Sequence, residues 1–218
     1  MWRMDFEAWE PFYVQILKDF SFSRADDEAV AAELDWILTG TRASDADLRR
    51  LIRGKEVTVA GNGPNVEDEI ANVRGVLLAA DEATSVTLAS GRLPSVLVTD
   101  LDGNVADQLK ANQEGTVAVV HAHGDNGPAV REWAPRFSGA TVATTQSRPV
   151  GGLRNFGGFT DGDRAVFLAD HFGARRIHLV GFDFERPNEK DLDRRMKQRK
   201  LDWAFVLLSS LDRDDLEL

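Results

Sequence analysis

Six short apolar runs limit what this chain can fold into. They are Val57–Ala60, Val76–Ala79, Ser95–Val98, Thr116–Val120, Ala140–Ala143 and Arg176–Val180. Each is nearly continuous in β-branched and aliphatic residues rather than alternating apolar with polar. A strand reads that way when both of its faces are buried, as in a parallel sheet covered by helices. Helix-like segments separate most of the runs, over 64–73, 82–90, 106–113, 129–137 and 161–172. The expected fold is α/β, a doubly wound, mostly parallel six-stranded sheet with an N-terminal helical segment and a C-terminal helix. Ligands of such sheets bind outside the carboxyl ends of the strands, which makes the strand ends the place to look.

The flanks carry no visible chemistry. Phe6, Trp9, Tyr13, Ile16, Leu17 and Phe20 share a helical face, with Pro11 either in the first turn or kinking the helix. A second helix is expected from a Ser23 cap to Gly40, with Val30, Leu34, Ile37 and Leu38 inward. A third is expected from Ser44 to Gly54, with Leu48, Leu51 and Ile52 inward. The last helix, 188 to about 209, would bury Leu192, Met196, Trp203, Val206 and Leu207. The expected division is a helical cap over 1–54, a nucleotide- and substrate-binding domain over 55–187, and a packing helix over 188–218.

Composition narrows the function classes. The formal net charge is −10, from 26 Lys and Arg against 36 Asp and Glu. That balance disfavours nucleic acid and anionic membranes as partners. With no cysteine, thiol catalysis, Cys-ligated zinc and Cys-ligated iron–sulfur are excluded. No apolar stretch is long enough to span a bilayer, and the first residues lack a signal-peptide pattern, so a soluble cytoplasmic protein is expected.

The six strands end in Gly61-Asn62-Gly63-Pro64, Asp81-Glu82, Asp100-Leu101-Asp102, His121-Ala122-His123-Gly124-Asp125, Thr144-Thr145-Gln146 and Gly181-Phe182-Asp183. An acidic, glycine-rich edge suits a divalent cation with phosphate. Asp100 and Asp102 can point the same way from an extended segment and share a hard cation, and Asp125 follows a strand on the same edge. These three are the expected metal ligands, for Mg²⁺. Gly61–Pro64 fails the dinucleotide fingerprint because its third glycine is missing, and no Walker A motif exists. That turn either receives an anion on free N–H groups or simply turns the chain tightly.

The stretch 151–164 is glycine-rich and runs into a helix. Either its glycines, Gly157 and Gly158 among them, let the backbone approach a ligand, with Arg154 and Arg164 on phosphate and Asn155 and Phe156 on a planar ring, or Thr160 and Asp163 cap the helix, or both. His121 and His123 lack a third nitrogen or sulfur ligand, which argues against zinc. A basic run of Lys190, Arg194, Arg195, Lys197, Arg199 and Lys200 is either a solvated helix face or reaches the acidic edge to neutralise a triphosphate.

The segments AGNGPN at 60–65, LVTDLDGN at 97–104, HAHGDN at 121–126 and GGFTDGDRAVFLADHFGARRIHLVGFDF at 157–184 together resemble the archaeal 6-hydroxymethyl-7,8-dihydropterin diphosphokinase family. Its catalytic domain is similar to thiamine diphosphokinase. The resemblance covers most of residues 56–185. It implies Mg²⁺-dependent transfer of diphosphate from ATP to the pterin hydroxymethyl group, releasing AMP, in folate or methanopterin biosynthesis. It places Asp100, Asp102 and Asp125 on metal and Asp161 or Asp163 on metal or the attacking hydroxyl. Asn62, Gly63, Asp81, Gln146, Asn155, Gly157, Gly158, Arg164, Lys197 and Lys200 would then bind the co-substrates. It leaves a homodimer open. After Asp125 the chain departs from the thiamine pattern with Asn126-Gly127-Pro128. It also has no C-terminal β-sandwich, which favours the pterin. The DxD and ARRIHLVGFDF are also similar to motility accessory factor glycosyltransferases, whose ligand would be a nucleotide sugar; a non-catalytic nucleotide-binding module is a third class.

Overall fold

A computed structural model describes residues 4–188, 193–216 and 218. Its centre is a six-stranded, all-parallel sheet in the order β5-β4-β3-β2-β1-β6. The strands are β1 (Glu56–Ala60), β2 (Val76–Ala80), β3 (Val96–Thr99), β4 (Val117–Ala122), β5 (Thr141–Thr145) and β6 (Arg176–Val180). Every residue of β3, β4 and β5 is buried, which is why their sequences are continuously apolar or threonine-rich. From β1 the chain winds outward through β2 to β5. It then returns, and β6 pairs on the other side of β1. The crevice between β1 and β6, where the winding reverses, is the expected ligand position of such a sheet.

The helices are α1 (Phe6–Phe20), α2 (Arg24–Ile37), α3 (Asp45–Ile52), α4 (Val66–Glu69), α5 (Ala83–Ala89), α6 (Val105–Gln113), α7 (Gly127–Trp133), α8 (Asp161–His171) and α9 (Arg194–Ser209). One face of the sheet packs against α1, α3, α8 and α9 in a single apolar cluster. The other face packs against α2, α6 and α7 around β3–β5, and against α4 and α5 near β1 and β2. The N-terminal helices therefore divide between the two layers. Trp9, Tyr13 and Ile16 of α1 are fully buried, as is Leu34 of α2.

Several local expectations are corrected. Pro11 lies inside α1, beyond its first turn, where the missing N–H leaves one helical hydrogen bond unmade. Residues 64–73 form only a four-residue helix and a 3₁₀ turn, because Gly63 to Asn65 are spent on turning the chain. Val206 is exposed; α9 buries Ala204, Leu207 and Leu208 instead. Leu192 and Lys190 lie outside the described residues. No helix is long and apolar enough to cross a membrane among the described residues.

Candidate active site

The β1–β6 crevice holds a cleft with a cavity volume of about 140 Å³. Its walls are the exits of β1 (Gly61, Asn62, Gly63), β2 (Asp81), β3 (Asp100, Asp102) and β6 (Gly181–Phe184), with the start of α8 and Lys197 and Lys200 of α9. A larger concavity lies along the outer edge of β6 and the Asp212–Asp215 segment. It shares no carboxylate with the cleft, and we place the chemistry in the smaller one.

Three carboxylates meet in the cleft. Asp81, Asp100 and Asp161 each offer a ligand oxygen, and these oxygens lie within 4.8 Å of one another. Backbone geometry aims them. Asp81 follows β2 in the left-handed region at φ 44°, and Leu101 does so at φ 70°. For Leu101 that conformation is strained; burial of its side chain and a 2.9 Å bond from its N–H to Thr99 Oγ1 hold it. The chain thus turns between Asp100 and Asp102 rather than running extended through them. Asp161 arrives from across the chain as the first residue of α8, its Oδ2 accepting from the Asp100 N–H at 3.3 Å.

Each of the three is held by its own donors. Asp81 Oδ1 accepts from Thr99 Oγ1 at 2.9 Å and Gln108 Nε2 at 2.8 Å. Asp161 Oδ1 pairs with the buried Arg164 at 3.0 Å. Asp100 Oδ2 meets His123 Nε2 at 3.3 Å, and its backbone carbonyl accepts from Asn126 Nδ2 at 2.8 Å. Asp100 Oδ1 is buried and has no hydrogen-bond partner. A buried carboxylate oxygen without a donor is costly unless a ligand completes it.

The charges are crowded. Burial would raise the Asp100 carboxyl, but His123 and Arg164 hold it well below the usual carboxylate range. Burial and then the Asp100 charge push Asp161 well up, and the same two causes raise Asp81. Asp102 is solvent-exposed as a residue, yet its carboxyl is pushed up to about 8, first by desolvation and then by the charges on Asp100 and Asp81. Acidic groups that resist ionising together are a site that a cation would relieve. An all-oxygen set of this kind suits a hard divalent ion.

The other expected site residues fall into place unevenly. Asp125 is exposed on a 3₁₀ turn; it lines no part of the cleft and is not in the trio. Asp102 lines the cleft but also lies outside the trio. Asp163 is fully buried and spends its carboxylate on Phe159 N, Thr160 N and Thr160 Oγ1, as the capping alternative required. Gln146 is buried away from the cleft, between Asp27 and Arg164. Asn155 bonds the carbonyls of Gln146 and Ser147, and Arg154 pairs with Asp45. Gly157 and Gly158 have positive φ, and a Cβ on Gly158 would stand 2.6 Å from Arg164 Cα, so they let the loop close onto α8. Cleft contact from this loop comes instead from Phe159 to Gly162.

Asn62 and Gly63 do line the cleft, but the glycine turn offers no free donors at Gly61 and Gly63. Their N–H groups bond Val180 O and Gly181 O. A Cβ on Gly61 or Gly63 would come within 2.7 Å or 2.6 Å of Gly181 O, so these glycines bring β1 against the exit of β6. From the basic run, Lys197 and Lys200 face the cleft. Arg199 instead bonds Asp19 O and stacks on Phe20. The aromatic wall of Phe182 and Phe184 was not expected as a contact, although both lie in the terminal GFDF.

A model of the family described as 6-hydroxymethylpterin diphosphokinase MptE-like matches residues 36–189. The chain belongs to that family. It is 40% identical over 229 aligned positions to the 6-hydroxymethyl-7,8-dihydropterin pyrophosphokinase of Methanothermobacter thermautotrophicus, covering 97% of each chain. It is 33% identical to the protein of that name from Methanocaldococcus jannaschii, covering 99% of this chain and 98% of the relative. Among solved structures, the MAf glycosyltransferase from Magnetospirillum magneticum gives a TM-score of 0.42 at 22% identity, over 73% of this chain and 29% of that one. The family expected from the four quoted segments is therefore the family found.

Proposed function

We propose that the protein is a 6-hydroxymethyl-7,8-dihydropterin diphosphokinase that takes its diphosphate from ATP with Mg²⁺ as cofactor. The observation that carries the metal is the Asp81, Asp100 and Asp161 trio with the orphaned Asp100 Oδ1. These three residues would hold the ion, with Asp102 beside them. When bound, the ion supplies charge neutralisation to the phosphate oxygens.

The protein's own groups do the rest. The pterin hydroxyl oxygen attacks the β-phosphorus of ATP, the bond to the α-phosphate oxygen breaks, and AMP leaves. The hydroxyl proton is released, and Asp102, which lines the cleft beside the trio without belonging to it, is the carboxylate we assign to receive it once a bound cation has relieved its neighbours' charge. Lys197 and Lys200 oppose the carboxylates and suit the polyphosphate. Phe182 and Phe184 give a planar ring an apolar wall. Asp163 is spent on its cap and Asp125 lies outside the cleft, so neither has a part in this reading.

The test is direct. Protein with ATP, Mg²⁺ and the reduced pterin alcohol should yield AMP and the pterin diphosphate in a ³¹P spectrum. ADP in place of AMP, or no turnover, would reject the reaction. Stabilisation by UDP- or CMP-sugars but not by Mg-ATP would favour a glycosyltransferase.

A further inference from the structure

The N-terminal helices reach the carboxylate trio through one buried group. We infer that Asp27 of α2 is a positioning residue for the trio, holding Asp100 through the His123 turn and Asp161 through Gln146 and Arg164. The inference rests on the proposed metal site, and it assigns a role to a part of the chain that carries no site motif.

Asp27 is 2% exposed and its two oxygens act in two directions. Oδ1 accepts from the Gly124 N–H at 2.7 Å. Gly124 follows His123, whose Nε2 touches Asp100 Oδ2. The contact is close, since a Cβ on Gly124 would stand 2.9 Å from Asp26 Cβ. Oδ2 accepts from Tyr13 Oη at 2.6 Å and from Gln146 Nε2 at 2.8 Å. Gln146 Oε1 then accepts from Arg164 at 3.5 Å, and Arg164 holds Asp161 Oδ1 at 3.0 Å. Trp9 of α1 fixes the same segment by donating to Gln146 O at 2.7 Å.

The polarity of this chain is what distinguishes a positioning role from simple packing. A carboxylate can only accept, so it fixes the Gln146 amide with its NH₂ toward Asp27 and its oxygen toward Arg164. In Asp27→Asn the new Oδ1 can keep the Gly124 bond, but the new NH₂ faces the Gln146 NH₂. Gln146 must then turn and present donors to the guanidinium. Arg164 loses that acceptor, and Asp161 loses a fixed partner. Adding Gln146→Glu restores acceptors toward both neighbours. Outer partners of metal-binding groups commonly control affinity in this way.

The experiment measures Mn²⁺ binding to the full chain by EPR, together with the metal dependence of turnover. Asp27→Asn should weaken Mn²⁺ binding by about tenfold or more, while kcat at saturating metal changes less than the metal requirement does. Asp27→Asn/Gln146→Glu should recover most of the loss. Folded Asp27→Asn with native Mn²⁺ affinity overturns the inference, and so does a folded double variant as weak as the single one. Gln146→Met keeps the Tyr13 and Gly124 bonds to Asp27 and cuts only the Arg164 arm. It serves if Asp27→Asn fails to fold, and native affinity there is equally fatal. Asp161→Asn is the control. If it loses Mn²⁺ while Asp27→Asn does not, the metal site stands and the positioning role falls. Wild-type protein that binds no Mn²⁺ removes both.

Discussion

Asp161→Asn should make the metal-free protein more stable while removing its response to Mg²⁺. Asp161 faces Asp81 and Asp100 with ligand oxygens no farther than 4.8 Å apart, and it pairs with Arg164 at 3.0 Å. With the three carboxylates ionised and an effective dielectric near 20, each repulsion is worth roughly 3.5 kcal/mol and the attraction about 5.5 kcal/mol. Two repulsions exceed one attraction by about 1.5 kcal/mol; Asn Oδ1 can still accept from Arg164, and the acceptor given up is the one on the longer 3.3 Å bond from the Asp100 N–H. In a chain of this length that corresponds to a rise in melting temperature of about 3–6 °C. The sign with pH follows. Burial and the Asp100 charge raise Asp161 well above its ordinary value of 3.8, so the native state binds the extra proton. Wild-type stability is therefore lost as pH climbs from about 3.8 toward the raised folded value, and the variant escapes that loss. Melts in EDTA should show the gap widening as pH rises above the ordinary carboxylate value of 3.8. With Mg²⁺ at a hundred times its Kd, the wild type should gain about 2.7 kcal/mol and overtake the variant. An Asp161→Asn protein that melts lower than wild type in EDTA, or that still gains from Mg²⁺, would refute the reasoning.

Three further outcomes are expected. Asp163→Ala strands the buried N–H groups of Phe159 and Thr160 and should cost about 3 kcal/mol in urea unfolding. Lys197→Ala/Lys200→Ala should raise the KM for ATP by about tenfold or more, with Mn²⁺ affinity unchanged in direct titration. Arg213→Met removes the partner of buried Asp170 and of Asp215, whose Oδ2 caps the Ile177 N–H on the free edge of β6. It should cost about 3 kcal/mol or more in the same unfolding assay and produce self-association visible in light scattering.

The strands were legible because burial on both faces leaves a local mark, an unbroken apolar run. Helix ends with side-chain caps were legible for the same local reason: Ser23, Ser44 and Thr160 stand where their hydroxyls belong. The helical segment expected over 64–73 runs over 66–72, part α-helix and part 3₁₀, and it starts late because Gly61 and Gly63 serve a contact with Gly181, more than a hundred residues away. No pattern within that segment reports it. The DxD was expected to run extended, but Leu101 turns left-handed on a bond to Thr99, so Asp100 and Asp102 reach the cleft from a turn rather than from an extended segment.

Residue pattern alone determined the α/β class, the polar carboxyl edge and, through four ordered segments, the family. Tertiary structure decided which acids meet. With β4 beyond β3 in the sheet, Asp125 ends on an exposed turn, while the start of α8 brings Asp161 against Asp100. Asp27, on a helix with no site motif, became part of the same network. Periodicity and capping are set by neighbours a few residues apart, whereas strand order and the aim of a side chain depend on packing between distant segments.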